Sequence, residues 1–226
     1  MRILAIDTSG EACSAALLTE TGLHQRLTLE PRRHADLILG LAEGLLKEAN
    51  LNLRELDALA FGRGPGSFAG VRIATGVVQG AAFAADIPVV PVSTLAALAQ
   101  GHLRETGHAR VLAALDARMN EVYWAACTPD ASGLMRALGG ELIVPPSDAP
   151  LPPDGGWHGV GSGWGAYAAV LAERVGDRVA AVDGAAQCRA RDIASIAAAD
   201  FAAGLAVPAE QALPVYLRDR VAWKRS

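Results

Sequence analysis

The feature of this sequence that most constrains its fold is a short motif that occurs twice. Residues 2–20 read RILAIDTSGEACSAALLTE, and residues 110–130 read RVLAALDARMNEVYWAACTPD. Each has a charged residue, an apolar strand, an Asp, a polar turn and a second apolar strand, which predicts a hairpin. Aligned on Asp7 and Asp116, with one residue inserted in the turn, the motifs also match Glu11 to Glu121. We interpret them as the openings of two duplicated lobes, with chance likeness of two short hairpins as the alternative.

Apolar periodicity predicts the elements that complete each lobe. The first hairpin is followed by a helix ending near Asn50, the strand LDALAFG, a helix over 67–85, the strand IPVVPVS and the helix TLAALAQGHLRE. The second is followed by a Pro- and Gly-rich connection, a strand, turn and helix in WHGVGSGWGAYAAVLAERVG, and a helix from about Ile193 to Leu205. This order predicts an α/β fold with mixed sheets, a lobe of residues 1–107, a lobe of residues 108–226 and a cleft between them. The last helix packs either on its own lobe or back on the first.

Composition narrows the possible environments and partners. About half of the 226 residues are apolar and 19% are charged, which is typical of a well-packed protein. Cys13, Cys127 and Cys188 lie far apart without a CxxC pair, so we expect a reducing cytoplasm rather than disulfides or a zinc module. The most apolar stretch, residues 73–85, is too short to span a bilayer, so no membrane association is expected. A net charge of −4 gives no general attraction to nucleic acid. The basic segment 218–226 is interpreted as a solvated end, with RNA contact as the alternative.

The loop GRGPGSFAGVRIATG, residues 62–76, raises the question of phosphate binding. It has no lysine, so it is not a Walker A loop. The dinucleotide fingerprint fits at Gly64, Gly66 and Ala69, but the next strand lacks the acidic residue expected after it. We therefore expect Gly64, Pro65, Gly66 and Gly70 to shape the loop for close helix packing. Anion binding by the amides at the helix start is the alternative.

The predicted helix that ends near Asn50 and the predicted helix over 67–85 are apolar over more than half of their circumference. Such width exceeds what packing on a single core requires and predicts a surface that is buried a second time, against a partner. The alternative is that both helices lie deep in a monomer core. The residues expected at the partner interface are Leu37, Leu41, Leu45, Phe68, Val71, Arg72, Thr75, Val78 and Gln79.

Catalytic groups are difficult to find. Asp7, followed by Thr8 and Ser9, ends the first strand and could orient a metal-bound nucleotide, with Asp116 as its counterpart; a simple turn former is the alternative. The histidines form no HExxH motif and no pair four residues apart, so no metal site is expected. There is no GxSxG elbow and no cysteine in an obviously reactive setting. We expect no catalytic residues, and at most a vestigial nucleotide site at Asp7, Thr8, Ser9 and Asp116.

Several segments together resemble the TsaB family, also called YeaZ. They are ILAIDTS, GPGSFAGVRIA, IPVVPVSTLAALA, DARMNEVYWA and PVYLRD, in the order and spacing typical of that family. The resemblance implies the duplicated two-lobed fold of actin, heat-shock chaperones and sugar kinases. It also implies a subunit that binds TsaD, the enzyme that installs threonylcarbamoyl on the adenosine beside the tRNA anticodon, and that works with the ATPase TsaE. Alone, such a subunit is expected to form a homodimer, and to meet tRNA only through the complex.

The resemblance also implies that this chain is not itself the enzyme. Where TsaD carries two metal-binding histidines, this sequence has Thr94 and Leu98, neither of which replaces an imidazole. ATP or ADP is then expected only at a partner or at the complex interface. Ala69 stands where the family commonly has Thr, which weakens anion binding at the loop, and Asn120 stands where it has Gly. The rival interpretation is an ATP-dependent kinase or transferase that uses Asp7, Asp116 and GVGSGWG; a metalloprotease fails for want of the histidine pair.

Overall fold

The computed structural model describes residues 1–30 and 32–218. The elements in these ranges are β1 (Ile3–Asp7), β2 (Cys13–Thr19), β3 (Gly22–Thr28), α1 (His34–Glu48), β4 (Ala58–Gly62), α2 (Phe68–Ala85), β5 (Val89–Val92), α3 (Thr94–Thr106), β6 (Val111–Arg118), β7 (Glu121–Pro129), β8 (Met135–Ala137), β9 (Leu142–Val144), β10 (Trp157–Val160), α4 (Ser162–Ala166), α5 (Ala168–Val175), β11 (Val179–Asp183) and α6 (Ala190–Ala202). The strands and helices expected from the sequence are present with ends shifted by a few residues. The strand β3 and the strands β8, β9 and β11 were not anticipated.

The strands form sheets of the same topology in both halves of the chain. The first sheet has the order β3-β2-β1-β4-β5, with β1 antiparallel to β2 and parallel to β4. The second sheet has the order β11-β10-β6-β7-β8, with β6 antiparallel to β7 and parallel to β10. The position of β3 is shared there by β8 and β9, which pair with opposite ends of β7. The duplicated two-lobed α/β fold is therefore confirmed, and the shared motif of the two lobes is the hairpin at the centre of each sheet.

Helices cover the faces of each sheet. On one face of the first sheet, Ile38 of α1 and Val78 of α2 pack on Leu59 and Phe61 of β4. On one face of the second sheet, α4 and α5 enclose a core that contains Trp124, Trp157 and Trp164. Parallel strands are normally covered by helices on both faces of their sheet. These helices cover one face of each sheet.

Each of the two remaining helices, α3 and α6, packs on the sheet of the other lobe. Leu95 and Leu98 of α3 pack on the second sheet, although α3 precedes the predicted lobe boundary at residues 107 and 108. Ile193 and Ile196 of α6 pack on the first sheet, although α6 belongs by sequence to the second half. The last helix thus packs back on the first lobe. The boundary itself remains a prediction, since the chain crosses between the lobes more than once.

The helix α2 is long and apolar enough to cross a membrane by length and composition alone. It spans 18 residues, more than the stretch 73–85 considered from the sequence. One such helix is weak support for a membrane span, because the core helix of a soluble protein passes the same test. Here Val71, Ala74 and Val78 lie in the interior, against the first sheet.

Candidate functional site: the interlobe cleft and the outer face of α2

The turn after β1 is enclosed by the protein. Asp7, Thr8 and Ser9 are all fully or almost fully buried. The Thr8 hydroxyl donates to the carbonyl of Gly70 at 2.6 Å, and the Ser67 amide donates to the carbonyl of Ser9 at 2.8 Å. The start of α2 therefore lies directly on the turn where a vestigial nucleotide site was expected.

Two glycines make this close approach feasible. A Cβ placed on Gly70 would lie 1.9 Å from the carbonyl oxygen of Thr8, and one on Gly66 would lie 2.7 Å from that of Ser9. Any side chain at either position would collide with backbone. Pro65 is buried beside them, and Gly64 has a left-handed φ of 100° with Val71 and Val215 close by. The loop is thus filled by its own protein, which accords with the packing interpretation. Anion binding at its amides remains a prediction, and one of these amides, Gly70 N, already faces the Ser67 hydroxyl.

Burial changes the acidity of Asp7. Loss of solvation raises the pKa of this carboxyl to about 6, against the opposing effect of hydrogen bonds from Ser9. Its Oδ2 atom has no hydrogen-bond partner within the described residues, and neither has the buried Oγ of Ser9. A carboxylate that binds a metal-bound nucleotide must be ionised and accessible. The Asp7 carboxyl is only partly ionised near neutral pH, and it is not accessible.

Asp116 occupies the matching place in the second lobe but has different surroundings. Its side chain is 15% exposed, pairs with the Arg118 guanidinium at 2.9 Å and accepts a hydrogen bond from the Tyr167 hydroxyl at 3.3 Å. Arg118, Met119 and Asn120 all have left-handed backbone angles in the turn that follows. Asn adopts such angles more readily than most residues, so Asn120 serves where the family commonly has Gly. The Asp116 carboxylate is therefore already engaged by neighbours of its own lobe.

The structure does not join these acids into one site. Asp7 and Asp116 share no hydrogen bond or ion pair in the described part of the chain. Within the same residues, no group of three or more His, Cys, Asp or Glu side chains is arranged to hold a metal ion. It remains a prediction that this chain binds no metal and has no catalytic residue.

The glycine-rich segment of the second lobe is also filled by protein. A Cβ on Gly159 would lie 2.4 Å from the ring of Trp164, and one on Gly161 would lie 2.5 Å from the carbonyl oxygen of Ala114. A partly open cavity of about 130 Å³ is lined by residues that include Leu98, His102 and Arg189, and none of its lining residues comes from this segment. Small-molecule pockets usually have volumes of roughly 300–1,000 Å³. The geometry gives no support to a kinase-like nucleotide pocket here.

Burial requires a correction to the predicted partner interface. Leu45, Val71, Thr75 and Val78 are buried within this chain, with Val78 only 2% exposed. They pack on or beside the first sheet, so they cannot contact a partner in this conformation. Leu37 and Leu41 are partly buried against the same core. Contact of Leu37, Leu41, Phe68, Arg72 and Gln79 with a partner remains a prediction.

Polar residues of α2 separate its buried side from its exposed side. The Arg72 guanidinium stacks on the Phe68 ring at 3.6 Å and donates to the Tyr216 hydroxyl at 2.8 Å. The Gln79 side-chain amide donates to the carbonyl of Ala212 at 3.1 Å. The polar stripe of α2 thus runs along the chain segment 212–216.

The exposed side of α2, which we call the α2 outer face, is apolar except for Arg72. Its members are Phe68, Ala69, Arg72, Gly76, Gly80, Phe83 and Ala84. Phe83 is 82% exposed and Phe68 is 58% exposed. An open groove of about 440 Å³ lies between Gly80, Phe83 and the turn at Ala209 and Glu210. At about 100° per residue, Gly76, Gly80 and Phe83 lie opposite the large buried residues, and this signal could have found the face from the sequence.

Thr94 and Leu98, the positions where the resemblance implies histidines in TsaD, lie in the interior. Thr94 is the first residue of α3 and is buried, and its hydroxyl has no partner among the described residues. Leu98 is buried in the core between α3 and the second sheet. Both positions serve packing.

Comparisons with known proteins agree with this geometry. A family model described as "TsaD: tRNA N6-adenosine threonylcarbamoyltransferase" matches residues 28–225. The "tRNA threonylcarbamoyladenosine biosynthesis protein TsaB" of Escherichia coli K12 is 43% identical, over 100% of this chain and 98% of the relative. The chain belongs to the TsaB family. The protein of the same name from Haemophilus influenzae is 36% identical, over 100% of this chain and 97% of the relative.

A solved structure shows the same fold. "YeaZ from Pseudomonas aeruginosa" is 49% identical and superposes with a TM-score of 0.90, covering 96% of this chain and 99% of that one. The family resemblance stated from the motifs is thereby confirmed, together with the two-lobed α/β architecture that this chain shares with the YeaZ structure. The expectation for the basic segment concerns residues that, after Arg218, lie outside the described part of the chain.

Proposed function

We propose that this chain is a non-catalytic scaffold subunit in the biosynthesis of threonylcarbamoyladenosine in tRNA. It binds TsaD, supports the transfer of threonylcarbamoyl to the adenosine beside the anticodon, and works with the ATPase TsaE in the cytoplasm. The names of its TsaB relatives give the pathway. The observation that supports the scaffold role is the α2 outer face, a mainly apolar surface that is exposed in this chain.

The chemistry of this face suits a protein partner. Small residues at Gly76 and Gly80 allow another helix to approach closely, and Phe68 and Phe83 supply large apolar side chains on either side. Aromatic residues and arginine are enriched in protein interfaces, and Arg72 lies at the edge of this one. We propose that TsaD binds here, and that a second copy of this chain occupies the same face when TsaD is absent.

The proposal that the subunit has no activity of its own rests on its acids and on α3. The Asp7 carboxyl is enclosed, and the Asp116 carboxylate is engaged by Arg118 and Tyr167. Thr94 and Leu98 supply no imidazole for a catalytic metal. Any ATP or ADP is then held by a partner or at the complex interface. The kinase or transferase alternative predicts turnover of Mg-ATP by the isolated chain, and no observation favours it.

The interface is tested by charge substitution. Phe83→Glu places a carboxylate on the α2 outer face without touching the core, and it should abolish both the homodimer and the complex with purified TsaD on size exclusion. Leu138→Glu is the matched control, since Leu138 is also an exposed apolar residue but lies in the second lobe. Survival of both assemblies in Phe83→Glu would show that the partner binds elsewhere.

The role in the pathway is tested by reconstitution. Purified TsaD, TsaE, threonylcarbamoyl-AMP and tRNA are combined with this chain present, omitted, or replaced by Phe83→Glu. Modification of the tRNA should require the unaltered chain. Equal modification without it would contradict the scaffold role.

A further inference from the structure

Ion pairs join the two lobes. The Arg104 guanidinium of α3 binds both carboxylate oxygens of Asp192 in α6, at 2.8 and 3.1 Å. Arg136 of β8 binds Asp200 of the same helix at 2.5 and 3.1 Å. Both aspartates are buried, and the hydrogen bonds that Arg104 donates to Asp192 raise the pKa of Arg104 and oppose the rise that burial causes in the pKa of Asp192. Since α6 lies on the first sheet, these pairs tie the second lobe to the first.

A further link lies beside the loop that covers Ser9. Glu141, from the connection between β8 and β9, accepts a hydrogen bond from the Ser93 hydroxyl and pairs with Arg63 at 3.1 Å. Its side chain is almost fully buried. Arg63 and Ser93 flank the loop and the start of α3, so this carboxylate of the second lobe is held by the first.

The chain then returns along the first lobe. Val207 exchanges two backbone hydrogen bonds of 2.8 Å with Val89 at the edge of β5. Farther on, the Val215 amide donates to the carbonyl of Arg63 at 2.8 Å, and Tyr216 meets Arg72 and Phe68 at the start of α2. This path brings the chain to the loop that encloses the β1 turn.

Arg218 completes the crossing to the second lobe. Its guanidinium donates to the carbonyl of Ala117 at 3.2 Å and binds the Glu121 carboxylate at 2.5 Å. These groups flank the left-handed turn after Asp116. Residues 213–218, which we call the clasp, therefore connect α2 of the first lobe with the central hairpin of the second.

We infer that the clasp and the ion pairs of Asp192, Asp200 and Glu141 lock the lobes, so that this chain keeps one cleft geometry instead of opening and closing around a nucleotide. Movement of either lobe would leave Asp192, Asp200 or Glu141 as a buried charge without its partner, which is strongly unfavourable. This inference deepens the proposed scaffold role, on which it rests for its purpose: a locked body holds the α2 outer face at a fixed place relative to the second lobe.

The lock is tested by measuring a distance between the lobes. Spin labels are attached to Glu20→Cys in the first lobe and Glu173→Cys in the second, both of which replace exposed residues. The native cysteines are buried, and burial raises the pKa of Cys13 to about 11 and of Cys127 to about 12, so they react little. Excess unlabelled chain removes distances between copies. We expect one narrow distance distribution that Mg-ATP, used as the probe, does not change. A broad distribution, or a shift with Mg-ATP, would overturn the inference.

The clasp is tested separately by hydrogen exchange. Arg218→Ala should raise the exchange rate of amides in 117–121 at least about tenfold, because the turn loses the groups that hold it. Arg54→Ala, which removes the same charge from an exposed position of the first lobe, should change nothing there. Unchanged exchange in Arg218→Ala would show that the clasp does not hold the turn. Both measurements use this chain alone, so they stand or fall independently of TsaD binding.

Discussion

Asp7 and Asp116 hold equivalent places in two copies of one hairpin, yet their side chains lie in different environments. Asp7 is fully buried beneath the start of α2, and burial raises its pKa to about 6. Asp116 reaches solvent and is paired with Arg118. The backbone of the duplicated motif is retained, so the difference comes from what packs on each turn. A residue's role in a duplicated fold therefore depends on the neighbouring loop more than on its place in the repeat.

The contact between the start of α2 and the turn that holds Asp7 should be the part of the fold most sensitive to substitution. Gly70→Ala places a methyl group 1.9 Å from the Thr8 carbonyl, so α2 must move off the turn. We expect a loss of about 3 kcal/mol or more in the free energy of unfolding, measured by urea denaturation. The control is Gly76→Ala in the same helix, where the methyl group meets open space. It should stabilise the helix by about 0.5–1 kcal/mol. Equal effects of the two substitutions would mean that α2 does not press on the turn.

The acids themselves should differ in their dependence on pH. The folded pKa of Asp7, about 6, lies above its ordinary value of 3.8, so the unfolded chain releases the proton first. Stability is therefore lost as pH rises from about 4 to about 6, and stays lower above that. Asp7→Asn should remove this loss and gain about 1–3 kcal/mol at pH 8 relative to pH 4, measured by denaturation at both pH values.

Asp116→Asn provides the comparison for this measurement. Its carboxylate is partly exposed and paired on the surface, so this substitution should lower the free energy of unfolding by less than about 1 kcal/mol. A change in stability in Asp116→Asn as large as that in Asp7→Asn would remove the distinction between the two lobes.

Histidines should give the second lobe the opposite dependence on pH. His102 and His158 are hydrogen-bonded at 2.9 Å, and His108 stacks on His158. Burial and the neighbouring His108 lower the pKa of both rings, with Asp183 and Glu105 opposing this at His102.

Because the folded pKa lies below the unfolded value, stability is lost as pH falls below about 6.5. The rings of His102 and His158 cannot both be protonated and keep the hydrogen bond between them. The free energy of unfolding should therefore fall by about 1 kcal/mol between pH 7 and pH 5. His102→Gln should flatten this part of the profile, and His24→Gln, an exposed histidine of β3, should not. An unaltered profile in His102→Gln would show that the cluster does not sense pH.

The smallest effect is expected at the ion pair of Asp116. The Arg118 side chain is 86% exposed, and exposed pairs contribute about 0.2–1 kcal/mol. Arg118→Ala should therefore lower the free energy of unfolding by less than about 1 kcal/mol, and the difference should shrink in high salt. A loss of several kcal/mol would mean that the second turn is as tightly held as the first.

The sequence was sufficient for the architecture because its signals are local. A strand that ends in Asp and a helix that follows Ser67 each leave a pattern in a few residues. The edge strand β3 was missed, since His24, Gln25 and Arg26 interrupt its apolar pattern. Within a short edge strand, the pairing partner contributes more than composition does.

The faces of α2 could not be assigned from composition, because apolar residues lie on both sides of its polar stripe. Val78 and Phe83 are both suitable for a core, yet one is buried and the other is exposed. Which side meets the sheet is decided by the close approach of Gly70 to Thr8, a contact between residues 62 positions apart. The clasp was equally beyond local patterns, since it joins Arg72 to Tyr216 and Glu121 to Arg218.

The exchange of α3 and α6 has a consequence for the history of the molecule. A chain cut at the predicted boundary would give halves that each carry the other's covering helix, and each would leave one sheet face bare. Neither half is a self-sufficient ancestor in its present form, so after the duplication the two copies must have come to depend on each other. The unit that natural selection now acts upon is the interlocked pair, and a split version of this protein should regain its fold only when both fragments are present together.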